Sequence, residues 1–246
     1  PVIDPRQIYA YVFTSGSTGL PVAHAKHWGL MVQAAQAAGR RVRQHLQAHG
    51  HAPDACFTVT GTVPAQHMFG FEFTVMMPLH SQAAIDASRP FYPVDIGAAL
   101  SRVPAPRMLN STPFHLRTLV ESGITQTSPD LVMSATAPLS PQLARQTEEA
   151  LDTTLLEIYG CTECGQVASR RTAISELWQT LEGLVITEQT APGGEPTFVA
   201  SGGHVEGRVP LADMLDLRSP TTFALLGRHA DMVNIAGKRA SMAYLN

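Results

Sequence analysis

Near its start the chain carries the segment Tyr11-Val12-Phe13-Thr14-Ser15-Gly16-Ser17-Thr18-Gly19-Leu20-Pro21. Apolar residues lead into it over positions 8–13, as in a buried strand, and six Thr, Ser and Gly residues follow. Glycines let the backbone approach a bulky anion, and hydroxyls beside bare N–H groups supply hydrogen-bond donors. These features predict a phosphate-binding loop, although the composition also fits a flexible Ser/Gly connection. The loop is not of the Walker type, because no Gly-Lys-Ser/Thr closes it.

The composition is that of an ordinary globular protein. The 246 residues are 44% apolar and 15% charged, which allows one large domain or two modest ones. The net charge of −3 provides no basic field for nucleic acid or anionic lipid. The most apolar stretch, residues 68–79, contains Glu72 and Pro78 and is too short to span a bilayer. No positively charged segment followed by an apolar run stands at the start of these residues, and three cysteines fit a reducing compartment, so we expect a cytoplasmic protein.

Cys161 and Cys164 form a C-x-x-C pair, which fits either a zinc or redox site or two ordinary thiols. The sequence has no second such pair, and Cys56 is remote from this one. Both interpretations of the pair therefore stay open.

Strands and helices alternate along most of the chain. Strands are expected over 8–13, 56–60, 83–85, 107–109, 131–134 and 155–159, and helices over 26–49, 96–103, 113–121 and 141–151, with a further apolar helix opening near residue 70. This order predicts a layered α/β sheet with helices on its faces. We expect residues 1–183 to form this α/β core, residues 184–228 a smaller β-rich subdomain, and residues 229–246 a hinge leading into a further domain.

Four polar loops follow predicted strands, at the edge where open α/β sheets place ligands. They span residues 14–19, 64–70, 135–138 and 159–163. In the last of them, Glu163 faces a predicted phosphate site and is a candidate Mg²⁺ ligand, the alternative being a solvated carboxylate. Further on, Asp213 can accept from sugar hydroxyls, and Arg228 can donate to a ribose or a phosphate.

Taken in order, these loops resemble the motifs of the acyl-adenylate-forming superfamily, which includes acyl- and aryl-CoA synthetases, peptide-synthetase adenylation domains and beetle luciferases. Residues 14–19 are similar to its phosphate loop, and Gln66-His67-Met68-Phe69-Gly70 is similar to its loop at the mouth of the acyl pocket. Thr136-Ala137-Pro138 resembles the turn that packs on adenine. The resemblance therefore implies nucleotide contacts from Thr14, Ser15, Gly16, Ser17, Thr18, Gly19, Thr136, Ala137 and Pro138.

Later motifs extend the resemblance to Arg239. Tyr159-Gly160-Cys161-Thr162-Glu163 matches Tyr-Gly-x-Thr-Glu, which implies an aromatic ring on adenine, a hydroxyl at the phosphate and a carboxylate on magnesium. Asp213 matches the ribose-binding Asp, and Arg228 matches the Arg that begins the interdomain hinge. Residues 234–239 are similar to the turn that opens the C-terminal domain. The implied nucleotide contacts thus also include Tyr159, Gly160, Thr162, Asp213 and Arg228.

The resemblance implies a two-step reaction. A carboxylate attacks the α-phosphorus of ATP to give acyl-AMP and pyrophosphate, and a thiol of CoA or of carrier-protein phosphopantetheine then takes the acyl group. Because the first step joins two anions, catalysis depends on charge neutralisation and alignment rather than on a covalent side chain. The implied partners are a small aromatic or fatty carboxylic acid and an acyl carrier protein, with no nucleic acid and no membrane span. The implied catalytic residues are His67, Thr162, Glu163 and Lys26, with Mg²⁺ on Glu163.

The acyl pocket is assigned to positions around these loops. His67 is expected to line the carboxylate end of an acyl tunnel, the alternative being a core histidine satisfied by a neighbour. Small apolar residues around such a pocket admit many ring or chain shapes, so they do not identify the acid. The other expected lining residues are Phe69, Gly70, Ser134, Cys161 and Val167.

The sequence departs from the superfamily pattern at two positions. Most members place Lys directly after the Pro of the phosphate loop, where this chain has Val22. We expect Lys26 to reach back to the loop from the first helical turn. The resulting Pro-x-x-x-x-Lys-x-Trp pattern resembles a bacterial subgroup linked to aryl-polyene pigments, which implies an aromatic or polyene acid and a carrier-protein acceptor. At the hinge, Ala230 stands where Asp or Lys is usual.

Members of the superfamily have further chain before the phosphate loop and a C-terminal domain after the turn at Lys238. That domain carries the lysine that reaches the carboxylate, so we expect this chain to be a core that binds nucleotide better than it turns over. Val22 and Ala230 favour a second hypothesis, a degenerate relative that acts as a nucleotide- or acyl-binding scaffold or regulator. The intact Glu163, Asp213 and Arg228 favour the ligase.

Overall fold

The computed structural model describes residues 2–14, 22–124, 127–190, 194, 196–228, 232–235 and 238–241. Strands make up most of its regular structure. In chain order they are β1 (Ile8–Thr14), β2 (Val22–His27), β3 (Phe57–Gly61), β4 (Ala83–Ile85), β5 (Arg107–Ser111), β6 (Leu131–Ser134), β7 (Thr154–Cys161), β8 (Gly165–Arg170), β9 (Leu177–Thr180), β10 (Leu184–Thr190), β11 (Pro196–Gly202), β12 (Val205–Leu211), β13 (Asp213–Ser219), β14 (Thr222–Arg228), β15 (Met232–Ile235) and β16 (Lys238–Ser241).

The helices begin at local signals that the sequence carries. Thr112 Oγ1 accepts a hydrogen bond from the backbone N–H of His115 at 3.4 Å, and Ser140 Oγ accepts one from Leu143 at 3.1 Å. A proline follows each of these caps in the first turn, where its missing N–H costs nothing. The helices are α1 (Trp28–Ala48), α2 (Met68–Gly70, a π-helical Phe71–Met76 and Met77–Leu79), α3 (Pro93–Arg102), α4 (Pro113–Ser122) and α5 (Pro141–Leu151).

Nine strands form one mixed sheet in the order β13-β14-β9-β8-β7-β6-β5-β3-β4. Five neighbouring strands of this sheet, β4, β3, β5, β6 and β7, pair in parallel, so their carboxyl ends lie at one edge of the sheet. From β7 onward every neighbour is antiparallel. The direction of pairing therefore changes at β7.

Helices pack on both faces of the parallel half. On β5 and β6, Met108 and Met133 pack with residues of α1 and α2, whereas Leu109 and Val132 pack with residues of α3, α4 and α5. This alternation follows from the two-residue repeat of a strand. The predicted layered α/β sheet is confirmed.

The strands after residue 183 are divided between two sheets. β10, β11 and β12 form a separate antiparallel sheet of three strands. β13 and β14 instead pair with β9 and extend the large sheet. The sequence predicts one β-rich subdomain over residues 184–228, whereas the strand that begins at Asp213 pairs within the large sheet.

β1 and β2 form an antiparallel hairpin in which Thr14 and Val22 are paired. The pairing holds the two ends of the predicted phosphate loop beside each other, while residues 15–21 lie outside the described residues. The prediction of a helix from residue 26 is wrong, because Lys26 is on β2 and α1 begins at Trp28. The extended conformation is fixed by pairing with β1, which overrides local propensity.

Among the described residues, no helix combines the length and the hydropathy needed to cross a membrane.

Replacing Phe223 by Ala should lower the free energy of unfolding by about 3–5 kcal/mol, measured by chemical denaturation. Phe223 is fully buried and packs against Tyr159 and Trp178 in the antiparallel half of the core. Phe114→Ala is the matched control, because Phe114 is 64% exposed and should change stability by only about 0.5 kcal/mol. Equal effects of the two substitutions would contradict this assignment of the core.

Candidate active site

The turn between β7 and β8 is the centre of the candidate site. A Cβ atom at Gly160 would lie 2.2 Å from the carbonyl oxygen of Gly165, so only glycine fits there. Gly165 itself has a φ of +71°, in the left-handed region. The two glycines fold the chain back sharply, and Thr162, Glu163 and Cys164 form the turn between the strands.

Tyr159 links this turn to the antiparallel half of the sheet. Its hydroxyl donates a hydrogen bond of 2.8 Å to Asp213 Oδ2, and its ring lies 5.7 Å from those of both Trp178 and Phe223. Burial and the Asp213 charge raise the pKa of Tyr159, which keeps the hydroxyl protonated as a donor. Asp213 lies opposite Arg228 in the β13–β14 register. The structure therefore brings together Tyr159, Asp213 and the backbone of Arg228.

The segment Thr136-Ala137-Pro138 is an exposed turn after β6. Thr136 has a φ of +80°, which is uncommon for a β-branched residue and indicates a conformation imposed by its surroundings. Beside the turn, Glu157 Oε1 accepts from the backbone N–H of Leu139 at 3.1 Å.

Glu157 is itself fixed by two donors to its other oxygen. Arg170 Nε donates at 2.8 Å and Thr172 Oγ1 at 2.6 Å. The carboxylate is 5% exposed, and a buried carboxylate with these partners holds its neighbours rigidly. Sequence reasoning missed Glu157, which ties the candidate adenine turn to β7.

Lys26 reaches the β7–β8 turn from β2. Its Nζ donates to the carbonyl oxygen of Thr162 and, at 3.4 Å, to that of Glu163. Its ammonium thus binds the backbone of the turn, from a strand rather than from the helix that the sequence predicted. We infer that Lys26 fixes the position of Thr162 and Glu163.

Glu163 has the properties of a hard-metal ligand. Burial by itself favours the neutral form, but its own backbone N–H, the Cys161 thiol and the charges of His24 and Lys26 together hold the pKa of Glu163 below its usual value. His24 Nε2 lies 3.6 Å from Glu163 Oε1, and the carboxylate side chain is 44% exposed. An ionised, accessible carboxylate fits Mg²⁺ that takes its other ligands from phosphates and water.

Metal sites made wholly of protein ligands are a different case. Within the described ranges, no group of three His, Cys, Asp or Glu residues is arranged to hold a metal ion. Cys161 and Cys164 are free thiols, and Cys161 Sγ accepts a hydrogen bond from the backbone N–H of Cys164 at 3.4 Å. The C-x-x-C spacing thus places the Cys161 sulfur within hydrogen-bond reach of the Cys164 backbone N–H.

His67 caps the start of α2. Its Nδ1 accepts from the backbone N–H of Phe69 at 3.2 Å, and the side chain is exposed. Gly70 follows within the first turn, where a Cβ atom would lie 2.2 Å from the carbonyl oxygen of Pro64. The loop before α2 therefore packs closely on the helix, and the His67 ring is free of the core.

The expected acyl-pocket residues are mostly interior. Phe69 is 6% exposed and packs on Phe73, and Val167 is fully buried. Ser134 is fully buried at the end of β6, and its Oγ has no hydrogen-bond partner among the described residues. Cys161 is half-buried at the end of β7.

A cavity of about 50 Å³ lies beside the turn. Its charged lining includes Lys26, Glu163 and Glu72, the last from α2. Burial raises the pKa of Glu72 to about 7, against the opposing influences of the Lys26 charge and the Gln166 backbone N–H. Sequence reasoning missed Glu72 as a site residue, although a lone carboxylate in the most apolar stretch of the chain is itself a signal.

Five residues of the predicted phosphate loop lie outside the described residues, and so does the hinge residue Ala230. The five are Ser15, Gly16, Ser17, Thr18 and Gly19. Thr14 and Arg228 are described by their backbone alone. Their assignments stay predictions.

The fold and the motifs around this turn are those of a known family. A family model described as AMP-binding enzyme matches residues 1–191, and the chain belongs to this family. The resemblance to adenylate-forming enzymes is thus confirmed at the level of the superfamily.

Curated relatives and solved structures agree with this assignment. The chain is 29% identical over 236 residues to a 4-coumarate–CoA ligase of Halorhodospira halophila, covering 94% of this chain and 54% of the relative. It is 26% identical over 241 residues to a 4-coumarate–CoA ligase of Rhodobacter capsulatus, covering 94% and 55%. The chain therefore spans about half the length of the curated relatives it matches.

The fold is shared with O-succinylbenzoate coenzyme A synthetase from Bacillus subtilis, solved in complex with AMP. The TM-score is 0.77 at 16% identity, covering 98% of this chain and 53% of the other. The same enzyme has also been solved with ATP and a magnesium ion, with a TM-score of 0.76 at 16% identity and coverage of 98% and 54%.

Replacing Lys26 by Met should weaken the binding of Mg·ATP about tenfold or more, because the β7–β8 turn loses a charged donor. Titration calorimetry measures this affinity, and thermal unfolding shows whether the fold persists. Arg40→Met is the control, since Arg40 is a half-exposed cation on α1 paired with Glu182. Unchanged affinity in the Lys26 variant would show that the turn does not need its ammonium.

Proposed function

We propose that this chain is the nucleotide- and acyl-binding core of an acid–CoA ligase, which activates a carboxylic acid with ATP as acyl-AMP and transfers the acyl group to a thiol. The observation that carries the proposal is the arrangement around the β7–β8 turn. Tyr159 is bonded to Asp213, and Lys26 is bonded to the carbonyls of Thr162 and Glu163, which supports a shared site for the residues assigned to adenine, ribose and magnesium.

In this proposal the motifs divide the nucleotide among them. The exposed turn of Thr136, Ala137 and Pro138 and the ring of Tyr159 contact adenine. Asp213 accepts from the ribose hydroxyls, and Arg228 and the phosphate loop of residues 14–19 donate to the remaining polar groups of the nucleotide.

Catalysis in this proposal rests on alignment and charge. Bound at Glu163, Mg²⁺ would neutralise the phosphate oxygens as the acid approaches. Thr162 donates to the phosphate, and Lys26 keeps Thr162 and Glu163 in position through their carbonyls. His67, exposed at the start of α2, orients the carboxylate of the acid. The carboxylate oxygen bonds to the α-phosphorus, and the bond to pyrophosphate breaks.

The substrate and the acceptor follow from the relatives and from one sequence pattern. The relatives are named for 4-coumarate and O-succinylbenzoate, which are both aromatic acids, so we propose an aromatic acid here. Lys26 and Trp28 form the pattern shared with the aryl-polyene subgroup, which favours a carrier-protein phosphopantetheine over free CoA as the thiol. Such a reaction belongs in the cytoplasm, where ATP and reduced thiols are available.

Val22 stands in place of the usual lysine and favours a second candidate function. In this alternative, the chain is a degenerate relative that binds nucleotide or an acyl chain as a scaffold or regulator. The two candidates differ in what they bind. A ligase core holds an acyl-adenylate and contacts its ribose through Asp213, whereas a scaffold that binds only an acyl chain has no need of this contact.

An acyl-sulfamoyl-adenosine, a stable mimic of acyl-AMP, should bind the chain tightly, and Asp213→Asn should weaken it about tenfold or more through loss of a charged acceptor. Titration calorimetry measures both affinities. Asp216→Asn, on the same strand and in a surface pair with Arg218, is the matched control and should bind like the unaltered chain. If the mimic does not bind, or binds both Asp variants equally, the ligase proposal is wrong.

A further inference from the structure

Two cysteines lie within the candidate site, and no step of the proposed reaction uses their thiols. Cys161 ends β7, and Cys164 is the last residue of the turn that follows. Cys161 is paired with Gly165 in the register of β7 and β8, so Cys164 directly precedes the residue opposite Cys161. The two cysteines thus flank Thr162 and Glu163, the residues assigned to phosphate and magnesium.

The two sulfur atoms are close neighbours. Cys161 Sγ accepts a hydrogen bond from the backbone N–H of Cys164 at 3.4 Å, and the Cys164 thiol is close enough to donate to the same sulfur. A disulfide joins two sulfurs at about 2.05 Å and needs Cα atoms about 4.4–6.8 Å apart, a span that a tight turn supplies. Closing the bond therefore requires a local shift of the turn rather than a rearrangement of the fold.

The two thiols differ in their access to solvent. Cys161 is half-buried, whereas Cys164 is only 4% exposed. A small disulfide in solution, such as oxidised glutathione, therefore reaches Cys161 first. The buried thiol of Cys164 is then placed to attack the mixed disulfide from within the turn.

The exchange balances in atoms and electrons. The Cys161 sulfur attacks one sulfur of the small disulfide, passes its proton to the thiolate that leaves, and forms a mixed disulfide. The Cys164 sulfur then attacks Cys161 in the mixed disulfide, and the second small thiol leaves with the Cys164 proton. The protein pair is oxidised by two electrons, and the small disulfide is reduced to two thiols.

Closing the pair changes the surroundings of Glu163. The Cys161 thiol is a hydrogen-bond donor to the Glu163 carboxylate, and a disulfide has no S–H to donate. Lys26 donates to the carbonyls of Thr162 and Glu163, which both lie between the two cysteines. A covalent bond across these two residues therefore displaces the groups that Lys26 holds.

We propose that a small disulfide oxidises Cys161 and Cys164 to an intramolecular disulfide, and that the closed turn binds a magnesium-bound nucleotide more weakly. In a reducing compartment such a bond is short-lived, which suits a reversible response to oxidation. The effect on the nucleotide rests on the proposed function, whereas the disulfide itself does not.

The first test is chemical. The chain is incubated with oxidised glutathione, its remaining thiols are alkylated, and trypsin then releases residues 146–170, which contain both cysteines and exclude Cys56. Mass spectrometry should find this peptide lighter by two hydrogens, as expected for an internal disulfide. Cys56→Ser, at an exposed position outside the turn, is the control and should give the same result. Alkylation of both cysteines of the peptide overturns the inference.

A variant without the second thiol tests the order of the two steps. In Cys164→Ala the mixed disulfide has no internal thiol to resolve it, so one glutathione should stay on Cys161. An unmodified Cys161 in this variant overturns the inference, because the first step then does not occur.

The second test is binding. In titration calorimetry with Mg²⁺, an acyl-sulfamoyl-adenosine should bind the oxidised chain about tenfold or more weakly than the reduced chain, as expected for the loss of a charged contact. Dithiothreitol should restore the affinity, because it reduces a disulfide but not a sulfinic or sulfonic acid. Equal affinity of the two forms overturns the inference and leaves the proposed function intact. If the reduced chain does not bind the compound either, the proposed function and the effect on the nucleotide are both wrong.

Discussion

The change of pairing direction at β7 is the constraint on which the site depends. β7 is parallel to β6 and antiparallel to β8, so the chain must turn back at the edge where the parallel strands end. Gly160 and Gly165 make that turn tight, since no side chain fits at Gly160. Two contacts hold the turn in place. Tyr159 of β7 donates a hydrogen bond to Asp213 of β13, and Lys26 of β2 donates to the backbone of the turn. Elements distant in sequence thus meet at one sheet edge, which is where α/β sheets bind ligands.

The charges at this edge suit the proposed reaction, which joins two anions. Lys26 and His24 lie close to Glu163, and their charges favour its ionised form. Glu72, further inside, has its pKa raised to about 7 by burial. Two carboxylates that line the same cavity thus differ in environment, and the ionised one, Glu163, is the one suited to a metal. The proposed catalysis needs no covalent side chain, only this arrangement of charge and the alignment of two bound substrates.

Local signals made much of the fold predictable from the sequence. The helix over 141–151 was expected at its observed bounds, because Ser140 and Pro141 mark its start. Non-local pairing was not predictable in the same way. β8 and β9 were missed, and Lys26 was assigned to a helix, because those segments become strands only through their partners. The same holds in the site, where the motifs identified Tyr159 and Asp213, but not the hydrogen bond between them. Nor did the sequence indicate that Gly165 would face Glu72.

The most direct test of the central claim is a crystal structure of the chain with an acyl-sulfamoyl-adenosine and Mg²⁺. We expect adenine between Tyr159 and the turn of Thr136 to Pro138, the ribose hydroxyls on Asp213 and the metal on Glu163. A nucleotide bound away from the β7–β8 turn, or a ribose that does not contact Asp213, would contradict the proposed function.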